Sequence, residues 1–534
     1  MNTSKLMQIE ENNIDNNKKG ISLLKAAWLI AVVIIISKII GFFRDVVIAK
    51  YYGVGLVSDA YFYAYQIPSL MLILFGGVGG PFHSAIVSVF SKIVNINKET
   101  PKFAVNLLNT FVTATFLVCF ILTLLVFLFS DVICQIIISG GNPELISLAS
   151  THLKIMSPIL VTGGLIGIYY GILVTYNEFL IPNISPMLVS FVIIMTVSLV
   201  KNDSLGYALA FATTVGALVQ FIFQLPKAFK LGYKYKPTLN CLKNEKYKNI
   251  LELLFPSILS STVGQIYIYV DMFFASQLET GAWTAIGYAN RVFQFPVGIL
   301  VTAFLVPLFP LFSKLVAQND FQGIRYYFNK GIGLLNFAAF PILIGILLFS
   351  HDVIKILFER GQFDSNATKM VTIALIFLSV SIIPYIFRDS LTRVYFAFND
   401  SKTPFYIALS SVLTKVVLNF IFVKPLGIGG ITLSTSFVTL INGLLLGLLI
   451  RKKIKMDFNI YIKEFLIMSL SAIFVFLIGV VLYKYINVTG LMLIIIKDSL
   501  IFLFLTIIYA ILTCLFKLSY AKELFLRLKS KVVK

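Results

Sequence analysis

The sequence predicts an all-α, polytopic membrane protein with about fourteen transmembrane helices. Of its 534 residues, 58% are hydrophobic and only 13% are charged, which leaves too little polar surface for a soluble protein of this length. Apolar runs of about 20 residues, the length that crosses a bilayer, recur along the chain. The formal net charge of +20 lies mainly in loops and tails, a pattern typical of cytoplasmic loops, so nucleic-acid binding is not indicated.

The apolar runs place the helices in order along the chain. They lie near residues 23–43, 61–90, 104–129, 152–175, 183–200, 205–228, 249–277, 282–313, 329–349, 370–396, 404–423, 427–450, 461–484 and 491–516. The second and eighth runs are too long for one straight crossing helix. We expect the glycines and proline of 76–81 to break the second run. Pro296, Pro307 and Pro310 should bend the eighth.

Basic residues in the short connections predict the orientation of the chain. The loop at 227–248 contains seven lysines and one glutamate. Four more basic residues follow the twelfth run, at 451–455, and six lie in the tail at 517–534. In an even-numbered count all of these fall on the same side as the N-terminus. Both termini are therefore predicted to be cytoplasmic.

An internal repeat divides most of the chain into two similar halves. Matching positions are Asp45 and Asp271, Asp131 and Asp352, Asn177 and Asn399, and Gly206 and Gly427. Their separations of 221 to 226 residues correspond to six helices each time. Because six is even, both halves should have the same orientation, which predicts a parallel duplication with an axis along the membrane normal. Binding sites in transporters of this kind lie at the interface of the halves.

This organisation predicts six segments. They are a disordered cytoplasmic tail (1–21), an N-terminal six-helix lobe (22–228), a basic cytoplasmic linker (229–248), a C-terminal six-helix lobe (249–452), an additional helix pair (453–516) and a basic cytoplasmic tail (517–534). The four cysteines are scattered without CxxC spacing, so neither a disulfide framework nor a zinc site is indicated. Since no Walker motif, catalytic triad or pair of carboxylates occurs, we do not expect an enzyme.

Ionisable residues inside the apolar runs are the candidate binding groups, because such groups are expensive in lipid and usually face a wet cavity. Lys38, Arg44 and Asp45 lie in the first run, Asp271 occupies the matching position of the seventh, and Arg291 lies in the eighth. Several cations facing one cavity suit a phosphate or pyrophosphate. The structural alternative is internal ion pairing, Arg44 with Asp45 or Arg291 with Asp271, which would leave surplus positive charge.

Two further sets of polar residues have open interpretations. Asp59 lies near the outer end of the second run and is equally a loop residue or part of a gate. Asp271, Asn419 and Thr435 could form an oxygen cage for a small monovalent cation, although hydroxyls on membrane helices usually hydrogen-bond a neighbouring helix. Lys415 lies on the same helix face as Asn419, four residues earlier.

Three motifs resemble those of the MurJ/MviN family of lipid II flippases. They are KIIGFFRD at 38–45, YANR at 288–291 and RVYFAFNDSKTP at 393–404. The resemblance extends over roughly residues 22–515. It implies the fold of the multidrug/oligosaccharidyl-lipid/polysaccharide exporter superfamily, with two six-helix lobes and two extra C-terminal helices.

The resemblance also implies a function. A flippase of this family would move lipid II, the undecaprenyl-pyrophosphate-linked peptidoglycan precursor, from the inner to the outer leaflet of the bacterial plasma membrane by alternating access. Lys38, Arg44, Asp45, Asp59 and Arg291 would be its substrate-binding residues. Its partners would be lipid II, membrane lipids and cell-wall synthesis proteins, with no nucleic acid.

The resemblance also has implications for the coupling ion, and at one position this sequence departs from the family pattern. A sodium site would map to Asp271, Asn419 and Thr435, but Lys415 replaces a further polar ligand and its ammonium could stand in for the ion. Coupling would then rest on Na⁺ or on the membrane potential, with no other cofactor. Leu72 stands where many members have an arginine. The helices at 461–516 would form a groove for the polyprenyl tail.

Three alternatives remain open at the level of the sequence. The first is a flippase for another polyprenyl-pyrophosphate-linked glycan, because the pyrophosphate would be the same. The second is a cation-coupled multidrug exporter of the same superfamily, which would favour an aromatic and acidic cavity. The third is a membrane scaffold, which would not need ionisable residues at matched depths in both halves.

Overall fold

The computed structural model describes residues 32–76, 80–93, 101–140, 142–200, 203–301, 305–455, 458–486, 488, 490–516 and 518. Within these ranges the regular secondary structure is entirely helical, which confirms the predicted fold class. The α-helices are α1 (32–52), α2 (Leu56–Met71), α3 (Pro81–Ser91), α4 (Pro101–Leu128), α5 (Ser130–Ile137), α6 (Pro143–Met156), α7 (Ile159–Thr175), α8 (Leu180–Leu199), α9 (Tyr207–Lys230), α10 (Glu245–Ala275), α11 (Ala282–Leu300), α12 (Val306–Ala317), α13 (Phe321–Phe358), α14 (Ser365–Ser379), α15 (Ile382–Ala397), α16 (Lys402–Leu426), α17 (Ile428–Ile454), α18 (Asn459–Tyr485) and α19 (Leu491–Leu515). The predicted N-terminal tail and nearly all of the C-terminal tail lie outside the described residues.

The helices identify a multi-pass membrane protein. Among the described residues, eight helices are long and apolar enough to cross a bilayer, and the number rises to ten if each of two bent pairs counts as one crossing. The remaining predicted crossings are interrupted, rich in polar residues or begin outside the described residues. The count of fourteen therefore stays a prediction.

The breaks expected in the second and eighth runs are present. After α2 the backbone continues as a short π-helix, Leu72–Gly76, and α3 begins at Pro81, while residues 77–79 lie outside the described part. In the eighth run α11 ends at Leu300 and α12 begins at Val306, with Pro307 in its first turn, where a missing amide hydrogen costs nothing. Pro296 and Pro310 lie inside helices and do not mark the break.

Two helix pairs bend at matching places in the two halves. The axes of α6 and α7 differ by 42° across Ser157 and Pro158, and those of α14 and α15 by 48° across Val380 and Ser381. Each pair is predicted from the sequence as one apolar run, so the bends are additions to that prediction. They lie 222 to 223 residues apart, measured from the first residues of the corresponding helices, and therefore agree with the internal repeat.

The repeat is also visible in single backbone conformations. Asn177 and Asn399 both adopt left-handed backbone angles, with φ of 59° and 57°. Gly206 and Gly427 also have positive φ, at 71° and 54°. Left-handed angles are uncommon outside glycine, and asparagine is one of the few residues that tolerate them. Their recurrence at matched positions supports the duplication independently of the apolar pattern.

The chain forms two compact units. The first comprises residues 1–51, 60–136 and 143–262, and the second comprises 52–59, 137–142 and 263–534. In the first unit α3, α4 and α7 pack around fully buried side chains that include Ile86, Phe90, Leu107 and Ile168. The predicted domain boundaries at 228 and 249 stay predictions.

In the second unit the two helices appended to the repeat pack against α13. Asn336 on α13 donates a hydrogen bond to the hydroxyl of Tyr461 on α18, at 2.9 Å. Farther along α13, the hydroxyl of Tyr483 donates to Asp352 at 2.9 Å, and Lys497 on α19 pairs with the same carboxylate at 3.4 Å. Polar contacts therefore fix both appended helices to the repeated part of this unit.

Candidate functional site

The first candidate cations lie on α1, where Arg44 is paired. Its Nη2 and Nε atoms donate to Oδ1 of Asp45 at 2.9 and 3.1 Å. The Asp45 side chain is 8% exposed and that of Arg44 is 26% exposed. The internal ion pair considered from the sequence is therefore present, and it holds the guanidinium in a fixed position. Lys38, about one and two-thirds turns earlier, is exposed and forms no ion pair within the described residues.

Arg291 is positioned by an aromatic ring on the same helix. Its guanidinium carbon lies 5.1 Å from the ring centroid of Tyr288, and the Tyr288 side chain is fully buried. An arginine over a buried ring gains a cation–π attraction that restricts its side chain. The ion-pair partner of Asp271 is Lys415, at 2.9 Å. Arg291 and Asp271 belong to the second unit, whereas Lys38, Arg44 and Asp45 belong to the first.

Asp59 caps the N-terminus of α11. Its Oδ2 accepts a hydrogen bond from the amide of Gly281 at 2.6 Å. Its Oδ1 accepts from the amide and the hydroxyl of Thr284, at 2.8 and 2.7 Å. A carboxylate at this position satisfies amides that have no partner inside the helix and interacts favourably with the helix dipole. Asp59 is only 2% exposed, so this end of α11 is closed by a residue more than two hundred positions earlier.

The chain around Asp59 packs closely against the rest of the second unit. A Cβ atom on Gly53 would overlap the carbonyl oxygen of Gln362, and one on Gly281 would lie 2.7 Å from the side chain of Val54. A Cβ on Gly140 would overlap the side chain of Gln277. We call this assembly the clasp; it consists of residues 52–59, 137–140, 142, 276–284 and 362. Glycines allow its segments to approach at backbone distance.

A cavity with several charged and polar side chains in its walls lies within the second unit. Its volume is about 440 Å³, and its walls come from α10, α15, α16 and α17. Tyr267, Asp271, Arg388, Lys415 and Asn442 line it. The Arg388 guanidinium lies 4.6 Å from the ring centroid of the neighbouring Tyr385. The sequence indicated charged residues in these helices. It did not show that Tyr267, Arg388 and Asn442 line one cavity, because they come from three separate helices.

The predicted cation-binding residues converge at this cavity. Asn419 donates from Nδ2 to Oδ1 of Asp271 at 3.1 Å. Lys415 contacts the same carboxylate oxygen and donates to the hydroxyl of Thr435. The ammonium group therefore lies among the oxygens proposed as ligands. In the described part of the chain, no group of three or more histidine, cysteine or acidic side chains is arranged to hold a metal ion.

An ion pair in the second half of the repeat, between Asp400 and Lys453, has a counterpart in the first half. Asp400 accepts hydrogen bonds from the amide and the hydroxyl of Thr403 and pairs with Lys453 at 3.3 Å. Partial burial alone would raise the pKa of Asp400, but these hydrogen bonds and the lysine charge lower it below its ordinary value. Glu178 pairs with Lys227 at 2.5 Å in the first half.

Comparisons with known proteins agree on one family. The family model described as lipid II flippase MurJ matches residues 48–504. A probable lipid II flippase MurJ of Synechocystis sp. is 33% identical over 441 residues, which cover 80% of this chain and 81% of that relative. The lipid II flippase MurJ of Burkholderia cenocepacia is 28% identical and covers 81% of this chain and 84% of its own length.

Solved structures agree with the sequence relatives. A structure described as lipid II flippase MurJ, inward closed conformation, matches with a TM-score of 0.76 at 26% identity and covers 90% of this chain and 98% of that chain. An inward-facing multidrug resistance transporter of the MATE family matches with a TM-score of 0.60 at 15% identity, covering 78% of this chain and 94% of the other. The second likeness shows a shared fold alone.

Proposed function

The chain belongs to the lipid II flippase MurJ family, and we propose on this premise that it is a transporter that moves lipid II from the inner to the outer leaflet of a bacterial plasma membrane. The observation that carries the proposal is the family match over residues 48–504. The multi-pass helical fold and the inward closed MurJ structure support it. A multidrug exporter has weaker support, because the likeness to that class is one of fold.

Recognition of the pyrophosphate would rest on three cations. Lys38 supplies an exposed charge on α1, and Arg44 and Arg291 are oriented by Asp45 and Tyr288, respectively. A guanidinium held in place loses less conformational entropy when it grips two phosphate oxygens. Asp45 neutralises part of the Arg44 charge in the absence of cargo, and phosphate oxygens would compete with that contact for the guanidinium donors. Leu72 offers no charge, so these three residues would carry the recognition.

Alternating access would require the clasp to open and close. Asp59 would then act in the cycle as the group that releases the N-terminus of α11, in addition to its predicted role near the cargo. Hydrogen bonds to a charged acceptor contribute about 1.5–3 kcal/mol each. Three of them on one carboxylate suit a closed state that is stable and still reversible.

The basic connections support one orientation of the chain in the membrane. With the lysine-rich loop at 227–248 in the cytoplasm, both termini would be cytoplasmic and the clasp would lie on the outer side. The membrane potential could then bias the return of the empty cationic cavity, at about 2.3 kcal/mol per charge per 100 mV. Membrane lipids and cell-wall synthesis proteins would be its neighbours in the cell.

Complementation tests this function. The chain is expressed in a bacterium whose own lipid II flippase can be depleted, and outward exposure of lipid II is measured. We expect the wild-type chain to restore exposure, and Arg44→Ala and Arg291→Ala to reduce it at least tenfold at equal membrane abundance, because each removes a charge-assisted contact worth about 1.5–3 kcal/mol.

Lys369→Ala is the matched control, because it removes an exposed positive charge on α14 outside the site. It should retain wild-type exposure of lipid II. Failure of the well-expressed wild-type chain would contradict lipid II as cargo. Full activity of both arginine variants would contradict their binding role without affecting the family assignment.

A further inference from the structure

The ammonium group of Lys415 has the surroundings of a bound ion. The Lys415 side chain is 1% exposed and lies in the middle of α16. Its Nζ atom contacts Oδ1 of Asp271 at 2.9 Å and donates to the carbonyl oxygen of Ile431 at 3.2 Å and to the hydroxyl of Thr435. An ammonium has three donors and no acceptor. All three donors therefore have oxygen partners from two neighbouring helices.

A fourth residue, Asn419, lies beside the carboxylate. Asn419 is fully buried and donates from Nδ2 to the Asp271 carboxylate. Its own Oδ1 has no hydrogen-bond partner within the described residues. Buried polar atoms almost always have partners, so this amide oxygen retains unused capacity to accept a hydrogen bond or to ligate a cation. Carboxylate, amide carbonyl, main-chain carbonyl and hydroxyl oxygens are the ligands of hard cations.

We propose that Lys415 is a tethered cation: its ammonium occupies the place of a free Na⁺ among the oxygens of Asp271, Thr435 and Ile431, beside Asn419, so that this chain neither binds nor needs sodium. The residues therefore fit a monovalent cation in their chemistry and exclude it by occupancy. The inference concerns coupling and does not depend on which lipid-linked cargo is moved.

Charge balance supports exclusion of a second cation. Asp271 and Lys415 form one buried pair of opposite charges. A sodium ion among the same oxygens would place two positive charges within a few ångströms of each other against a single carboxylate, and like charges repel strongly in a poorly solvated site. Lysine also has no acceptor with which to ligate the ion. A free ion would find neither a vacant position nor surplus negative charge.

The cavity of the second unit would give an ion access if the lysine were absent. Asp271, Lys415 and Thr435 all line this cavity of about 440 Å³. Replacing Lys415 with alanine should therefore leave an oxygen-lined space that is open to solvent. Replacing it with methionine should leave most of the space filled by an apolar side chain. The two variants remove the same charge but differ in whether Na⁺ can replace it.

The experiment measures thermal unfolding of the purified full-length chain in equal concentrations of sodium chloride and choline chloride. The wild-type melting temperature should be the same in both salts. Lys415→Ala should melt roughly 5 °C or more below wild type in choline, and sodium should restore at least half of that loss in a saturable manner. Lys415→Met should have a similarly lowered melting temperature in choline, and sodium should not raise it. Lys369→Ala should behave as wild type.

Two results would overturn the proposal. One is a saturable, sodium-specific rise in the melting temperature of the wild-type chain, which would mean that a free ion binds beside Lys415. The other is a folded Lys415→Ala variant whose melting temperature rises no more in sodium than that of Lys415→Met. If Lys415→Ala cannot be obtained in either salt, the wild-type measurement decides, together with equilibrium binding of radioactive sodium to the wild-type chain, which should show no saturable site.

Discussion

At the scale of single residues, the clasp depends on positions where no side chain fits. Gly53 has a φ of 58°, and a Cβ there would overlap the carbonyl oxygen of Gln362. Gly55, two residues later, has open space around it, and a Cβ added there would meet nothing within 4 Å. Two glycines of one short segment therefore differ in what they are needed for. Gly53 provides both a left-handed backbone and a close approach, and Gly55 provides neither.

This difference predicts unequal effects of the same substitution. Gly53→Ala should destabilise the clasp by about 1–3 kcal/mol, since it combines a left-handed alanine with overpacking. Gly55→Ala, the matched control, should change stability by less than about 0.5 kcal/mol. Thermal unfolding and lipid II exposure measure both. Equal behaviour of the two variants would argue against close packing at Gly53.

At the scale of helices, the two halves share the way in which a helix hairpin ends. In each half a left-handed asparagine, Asn177 or Asn399, precedes an acidic residue. That acid pairs with a lysine in the last turn of the final lobe helix, Lys227 or Lys453. A surface ion pair contributes only about 0–1 kcal/mol, so the backbone conformation is the stronger constraint at these turns.

Substitutions at Asn399 separate the two contributions. Asn399→Gly should leave stability within about 0.5 kcal/mol of wild type, because glycine adopts a φ of 57° without strain. Asn399→Ala should cost about 1–2 kcal/mol, because alanine in the left-handed region meets its own carbonyl. The readout is thermal unfolding. An alanine variant as stable as the glycine variant would show that the left-handed backbone is not the constraint at this turn.

At the scale of the molecule, the appended helices α18 and α19 are fixed to the second unit through a buried ionic cluster. Lys497 lies 3.4 Å from Asp352 on α13 and 3.2 Å from Asp498, and its Nζ atom is 4.3 Å from the ring centroid of Tyr483. One lysine therefore serves two carboxylates. The appended pair is a fixed part of the second unit and not a loosely attached anchor.

Removing that lysine should be costly. Lys497→Ala would leave Asp352 and Asp498 close together without their common partner, and breaking a buried pair costs about 3–5 kcal/mol. Lys484→Ala, which removes a lysine from the last turn of α18 outside the cluster, should cost less than about 0.5 kcal/mol. Thermal unfolding of the purified variants compares them. Similar melting temperatures would mean that the cluster does not hold the pair.

Features with a local signal were predictable from the sequence. The glycines and proline at 76–81 predicted the break after α2. Pro307, one of three prolines expected to bend the eighth run, lies at the start of α12. The bend between α14 and α15 was not predictable in this way, because no proline lies at its break. The turn there is held by the Ser381 hydroxyl, which bonds the carbonyl of Leu378 at 2.6 Å.

The candidate site likewise combines residues that could be predicted from the sequence with contacts that only the structure shows. The convergence of Lys415 and Asn419 followed from their spacing on one helix face, with Asp271 and Thr435 added by helix packing that only the structure supplies. The capping role of Asp59 depends on partners 222 and 225 residues away, for which a single sequence contains no signal. The roles of the five predicted substrate-binding residues stay predictions.

The lysine at the centre of the second unit has a consequence for the living cell. A free sodium ion is absent from a sodium-free medium, and an ionophore dissipates its gradient, but neither treatment removes a side chain on α16. A bacterium that depends on this chain should therefore continue to build its wall in sodium-free medium, and a sodium ionophore alone should not stop it. Its sensitivity should lie instead toward agents that collapse the electrical potential.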